Sequence, residues 1–185
     1  MRKWVISFLA VCFLTGCDAS TEIERGMTLR SSLLQGSESR FQTKVTAEYP
    51  DKIHSFSMDC IFDEQGNLTF SVTEPDSISG ITGNITSGKG ALTFDDTVLY
   101  FSLLTDDQIS PISAPWILMK TLRSGCLTAA CMEENLLHLT IDDSFEDDAL
   151  KLDIWINENN QPISADILYK NRRILSMEII NFDIL

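Results

Sequence analysis

From Arg40 to the end of the chain, apolar side chains recur at every second position, in short runs separated by turn-forming residues. A two-residue period sends alternate side chains to opposite faces of a strand, so such runs bury themselves as a sheet with one dry face. Phe41, Val45, Ala47 and Tyr49 oppose Gln42, Lys44, Thr46 and Glu48 in this way. Phe56, Met58, Cys60 and Phe62 form a second such face, and Asp63 to Asn67 turns the chain into Leu68, Phe70 and Val72. That pattern predicts a hairpin. Further short strands are expected at Ile81 to Ile85, Ala91 to Phe94 and Val98 to Leu103. Others follow at Leu137 to Ile141, Leu150 to Ile156, Ile163 to Tyr169 and Ile174 to Phe182.

Two segments break the alternation. Ile23, Met27 and Leu34 fall on one helical face, with Leu33 at its edge and Gly36 as the stop. Ser110 to Pro115 halts the sheet, and Trp116 to Arg123 reads as a second helix, with Pro115 suited to its first turn and Gly125 to its exit. The fold class expected is therefore mainly β (α+β). About ten strands joined by hairpin-length turns curl into an incomplete β-barrel, with an N-terminal helix and a mid-chain lid helix.

The first sixteen residues are of another kind. Arg2 and Lys3 precede an apolar run from Trp4 to Leu14, too short for a stable membrane span and suited to an export signal. The run ends in Leu14, Thr15, Gly16 and Cys17, which resembles the lipobox of bacterial prolipoproteins. The resemblance implies cleavage before Cys17 and lipidation of its thiol, and acyl chains at one terminus hold a protein durably at a membrane. The division expected is 1–16 signal peptide, 17–22 lipidated cysteine and short tether, and 23–185 folded half-barrel. The address is extracytoplasmic and lipid-anchored to the cell membrane. Asp18 resembles the inner-membrane retention signal of diderm bacteria.

The formal charge of the chain is −13. A surface so acidic repels phosphate backbones, so nucleic acid is not an expected partner, and the lipid rather than surface charge is the membrane contact. Hydrophobic residues make up 44% of the chain, enough for a real core. Beyond Cys12 and Cys17, three cysteines remain. In an oxidising compartment Cys126 and Cys131 are the natural short-loop pair with Cys60 left over; the alternative is three unpaired thiols.

No catalytic or metal-binding constellation emerges, so neither enzyme activity nor a cofactor is expected. His54 and His138 each sit among apolar strand residues without a ligand at metal spacing and read as structural. The acidic run Asp142 to Asp148 lacks the central glycine and final glutamate of a calcium loop and reads as a solvated turn. Gly83 to Lys89 has phosphate-loop spacing, but Gly90 stands where a hydroxyl residue is needed, so a hairpin turn is expected. Arg172 and Arg173, at a turn, read as solvated charges.

The order of elements resembles the LolA and LolB superfamily of envelope proteins. Val72 to Gly83, Ser110 to Gly125 as the lid and Pro162 to Phe182 as the closing hairpin carry the likeness to a LolA-like lipoprotein. The resemblance implies a hydrophobic cavity between sheet and lid that takes acyl groups or other apolar ligands. The inward faces make Phe56, Met58, Phe62, Phe70, Val72, Leu152 and Ile154 its lining, with Trp116 and Ile117 across the opening. The function expected is a membrane-tethered binding module for a lipid, acyl chain or other apolar ligand. The alternative is a structural or sensory interaction protein with a filled core, whose partner is another envelope protein.

Overall fold

The computed structural model describes residues 19–49, 52–105, 108–146 and 149–185. The expected export segment and the expected lipidation site, Cys17, lie outside the described residues. Helix α1 spans Ala19–Gln35, and two long strands follow, β1 (Glu38–Tyr49) and β2 (Lys52–Asp63). The first half continues through β3 (Leu68–Glu74), β4 (Thr82–Thr86), β5 (Lys89–Phe94) and β6 (Thr97–Ser102). A small hairpin, β7 (Leu104–Thr105) with β8 (Gln108–Ile109), leads through a turn of 3-10 helix into α2 (Ala114–Ser124). The second half is β9 (Cys126–Glu133), β10 (Leu136–Asp142), β11 (Lys151–Ile156), β12 (Pro162–Tyr169) and β13 (Arg172–Ile184).

Eleven strands form one antiparallel, unclosed sheet in the order β6, β5, β4, β3, β2, β1, β13, β12, β11, β10, β9. The first and last strands meet at its centre, where Val45 pairs with Met177. Each half is a meander running between the centre and one edge. The segment between β6 and β9 must therefore reach from one edge of the sheet to the other, and it does so across the inner face. That route carries α2 over the concave side, as the lid reading expects.

The two-residue period holds where the sheet is best packed. Phe41, Val45, Ala47, Met58, Cys60, Phe62, Leu68, Phe70 and Val72 are all buried in the first half, and Leu137, Leu139, Ile141, Leu152, Ile154 and Ile156 in the second. They join Ile117, Leu118, Met119 and Leu122 of α2 in one core. Tyr49, placed with the inner face by alternation, is exposed at the end of β1.

α1 departs from its expected orientation and starts earlier, at Ala19, so part of the expected 17–22 tether is helical. Its buried stripe is Gly26, Leu29 and Leu33, while Ile23, Met27 and Leu34 are about half exposed. The cause is Gly26. A Cβ there would lie 3.0 and 3.2 Å from the two methyls of Leu139, so the missing side chain lets the helix seat directly on β10.

The expected Cys126–Cys131 disulfide does not form. Both residues belong to one extended strand, five positions apart, which separates their Cα atoms by about 16 Å at roughly 3.3 Å per residue. A disulfide needs under about 7 Å. Cys60, Cys126 and Cys131 are all free thiols.

Candidate functional site

α2 is held over the inner face by polar contacts as well as packing. The Trp116 indole Nε1 donates to the carbonyl of Gly66 at 3.0 Å, and Arg123 donates to the carbonyls of Asp63 and Glu64, both at 3.0 Å. These bonds tie the helix to the β2–β3 turn, in which Gly66 has a φ of +87° that favours glycine. Arg30 of α1 donates to the carbonyl of Leu122 at 2.7 Å and joins the two helices. At the exit of α2, Gly125 makes a close approach: a Cβ there would fall 2.6 Å from Ile141 and 2.7 Å from the Thr121 carbonyl.

Beside α2 the structure leaves a half-open recess of about 300 Å³. Leu103 and Ile109 close it from the β7–β8 side, Trp116 and Ile117 from the helix, and Leu150 and Tyr169 from the second half of the sheet. Its rim is polar. Lys120 lies 3.6 Å from Asp143 across the mouth. Asp143 also accepts the Leu150 N–H at 3.0 Å, while its own N–H donates to the Leu150 carbonyl at 2.9 Å, and this pinches the base of the 143–150 loop. The acidic run thus serves partly as a loop closure. Among the described residues, no group of three His, Cys, Asp or Glu could hold a metal ion.

Of the nine residues expected to line a cavity, only Trp116 and Ile117 border this recess. Met58, Phe62, Phe70, Val72, Leu152 and Ile154 do face inward, but each is at most 3% exposed and packed in the core. Phe56 is half-buried and lines a more polar depression at the β2–β3 edge with Glu74 and Pro75. Leu103, Ile109, Lys120, Asp143, Leu150 and Tyr169 were not anticipated. They come from four separate stretches of chain, and only the edge-to-edge crossing brings them together.

The remaining sequence candidates fall in ordinary places. Gly83 to Lys89 is the β4–β5 hairpin, as expected. Arg173 pairs with Glu48 at 2.9 Å and with Asp166 at 3.5 Å rather than standing free in solvent. Burial pushes the Asp166 carboxyl above its usual range, although Arg173 pulls the other way.

No family model matches the sequence, and no curated protein matches it. Solved structures share its layout. A DUF1329 family protein from Desulfovibrio piger aligns over 90% of this chain and 92% of its own, at 8% identity and a TM-score of 0.51. A LolA superfamily protein from Nitrosomonas europaea aligns over 90% and 93%, at 10% identity and 0.47. Lipoprotein LppX from Mycobacterium tuberculosis aligns over 88% and 93%, at 11% identity and 0.43. The fold is the one seen in the DUF1329 family protein. At such identities the likeness is one of architecture alone, and the residues of this chain decide what its sheet encloses.

Proposed function

We propose that this chain is a lipid-anchored, extracytoplasmic binding module that takes an apolar group, such as part of one acyl chain, into the recess beside α2. The observation that carries the reading is the recess itself: apolar walls from Leu103, Ile109, Trp116, Ile117 and Leu150 under a polar rim formed by Lys120 and Asp143. Its size lies at the lower end of the roughly 300–1,000 Å³ common for ligand sites, which suits a segment of chain rather than a whole lipid. Burying about six methylenes at about 0.8 kcal/mol each contributes about 5 kcal/mol before association costs. Affinity from solution is then weak, no better than about millimolar. A module tethered through Cys17 meets acyl chains at high local concentration, so weak intrinsic binding suffices there.

A second reading, a structural or sensory partner of another envelope protein, is favoured by one observation. The β5–β6 ribbon leaves Val98, Leu99 and Tyr100 in solvent, Tyr100 at 85% exposure, while the interior of the sheet is filled. Tryptophan emission separates the two readings. Trp116 borders the recess, whereas Trp155 stacks on His138 away from it. In a Trp155→Phe variant, titrating octanoate, which carries six methylenes, should give a saturable change in Trp116 emission, and Ile117→Trp, which fills the recess, should weaken octanoate binding measured by equilibrium dialysis. No saturable change at any soluble octanoate concentration would reject the binding reading in favour of the interaction reading.

A further inference from the structure

Outside the recess, three neighbouring strands gather a thiol, an imidazole and two carboxylates on the outer face of the sheet. Leu137, Leu139 and Ile141 take the inner face of β10, which turns His138 outward. Register sets His138 directly opposite Cys131 of β9 on one side and Trp155 of β11 on the other. Cys131 is exposed, with its Sγ 3.9 Å from His138 Nδ1. Glu133 Oε2 lies 3.4 Å from the same nitrogen, and Asp153 Oδ1 lies 3.3 Å from Nε2.

Both carboxylates are fixed by other donors. Trp155 Nε1 donates to Glu133 Oε2 at 2.8 Å, and Thr140 Oγ1 donates to Asp153 Oδ1 at 2.7 Å. The Trp155 ring lies parallel to the imidazole, 4.6 Å away and tilted by 5°. The imidazole therefore has little freedom to turn, and its Nε2 is buried without a hydrogen bond of its own. A neutral ring carries a single N–H and so faces at least one carboxylate with a lone pair. A ring that has gained a second proton directs N–H groups toward an anion on both sides. The nearest source of that proton is the Cys131 thiol, and its transfer leaves a thiolate beside an imidazolium.

We propose that Cys131 is a reactive thiol, served by His138 as base and by Glu133 and Asp153 as positioning residues, that exchanges with small-molecule disulfides. His138 takes the thiol proton, and Sγ attacks one sulfur of the disulfide. The new bond from Sγ to that sulfur forms as the old sulfur–sulfur bond breaks, and the departing thiolate takes the proton from His138. Cysteine is oxidised to a mixed disulfide and the other half of the reagent is reduced to a thiol, so no further oxidant is needed. The other two cysteines differ in setting. Cys60 is buried in β2, and burial, with Asp59 adding to it, pushes its thiol well above the usual range. Cys126 is half-buried at the start of β9 with no imidazole partner among its described contacts.

The test reacts the full chain, in detergent micelles, with dithionitrobenzoate and locates the modified cysteine by peptide mass mapping. Cys131 is expected to react first, about tenfold faster than Cys126 near pH 7. His138→Gln is expected to slow it about tenfold there, and the difference should vanish above about pH 10, where exposed thiols are ionised without help. Cys60 is a built-in check on the fold, because its labelling in a variant marks unfolding. If His138→Gln unfolds, the milder Asp153→Asn decides, with an expected slowing of about threefold near pH 7. Reaction at Cys126 first, or an unchanged Cys131 rate in the folded variant, would overturn the proposal. Octanoate binding in the recess does not enter this readout, so the two proposals fail separately.

Discussion

Replacing Ile154 with alanine tests whether the inside of the curled sheet is packed or hollow. Ile154 is fully buried, opposite Leu139 on one neighbouring strand and Ala165 on the other. Removing three carbons at about 0.8 kcal/mol each costs about 2.4 kcal/mol in lost transfer energy. A rigid interior also retains most of the void, and a cavity of about 50–80 Å³ at about 24 cal/mol per Å³ adds about 1–2 kcal/mol. The expected loss is thus about 3–4 kcal/mol. Urea unfolding of the full chain, followed by far-ultraviolet circular dichroism, reads it as a midpoint about 1.5–2 M lower for a slope near 2 kcal/mol/M. Leu150→Ala, at the half-buried wall of the recess, should cost less than half as much. A loss below about 1 kcal/mol for Ile154→Ala would refute the packing argument, because it would mean that the surroundings already leave space there.

Other consequences can be measured as directly. Gly26→Leu should force α1 off Leu139; overpacking of about 1–3 kcal/mol, offset by about 1 kcal/mol of helix propensity, leaves a loss of up to about 2 kcal/mol and predicts a Tm lower by up to about 8 °C, and a higher Tm would contradict the close seating. Because burial raises the Asp166 carboxyl in the folded state, its contribution to stability is present at low pH and is lost as pH rises through the folded value. Asp166→Asn should therefore raise stability at pH 7 and lose that advantage below about pH 4, and destabilisation at pH 7 would count against the assignment. Cys17→Ala should abolish metabolic labelling with palmitate; undiminished labelling would remove the tether from the proposal.

The strands with one dry face were legible because their alternation is a direct image of burial. The failures have specific causes. A helical-face reading of α1 gives weight to Ile23, Met27 and Leu34 and none to Gly26, yet the closest contact is made where a side chain is missing. No period marks β9 in the sequence: its register shifts next to Thr140 of its neighbour, and Thr128, Ala129 and Ala130 show no alternation. Without a visible strand period there, the spacing of Cys126 and Cys131 suits a short disulfide loop, and the register that sets Cys131 against His138 stays hidden. The cavity reading placed seven side chains on the inner face of the sheet, and all but the half-buried Phe56 are fully enclosed there. Alternation reports the face a residue takes and is silent on whether opposing residues leave room between them. The recess is made by the segment that crosses from edge to edge, where no period operates.

The attachments of α2 decide which wall of the recess is able to move. Trp116 and Arg123 fasten the helix to the β2–β3 turn by three hydrogen bonds, and Arg30 fastens its last turn to α1. Across the mouth, the one ion pair among the described residues is Lys120 with Asp143, at 3.6 Å and with the lysine side chain 42% exposed. Such a pair is worth at most about 1 kcal/mol and is weakened by salt. The helix is the fixed jamb, and Asp143 on the facing wall is latched to it by one screened charge pair. Ionic strength should then act mainly on how fast an apolar guest is admitted, and only weakly on how tightly the apolar walls retain it.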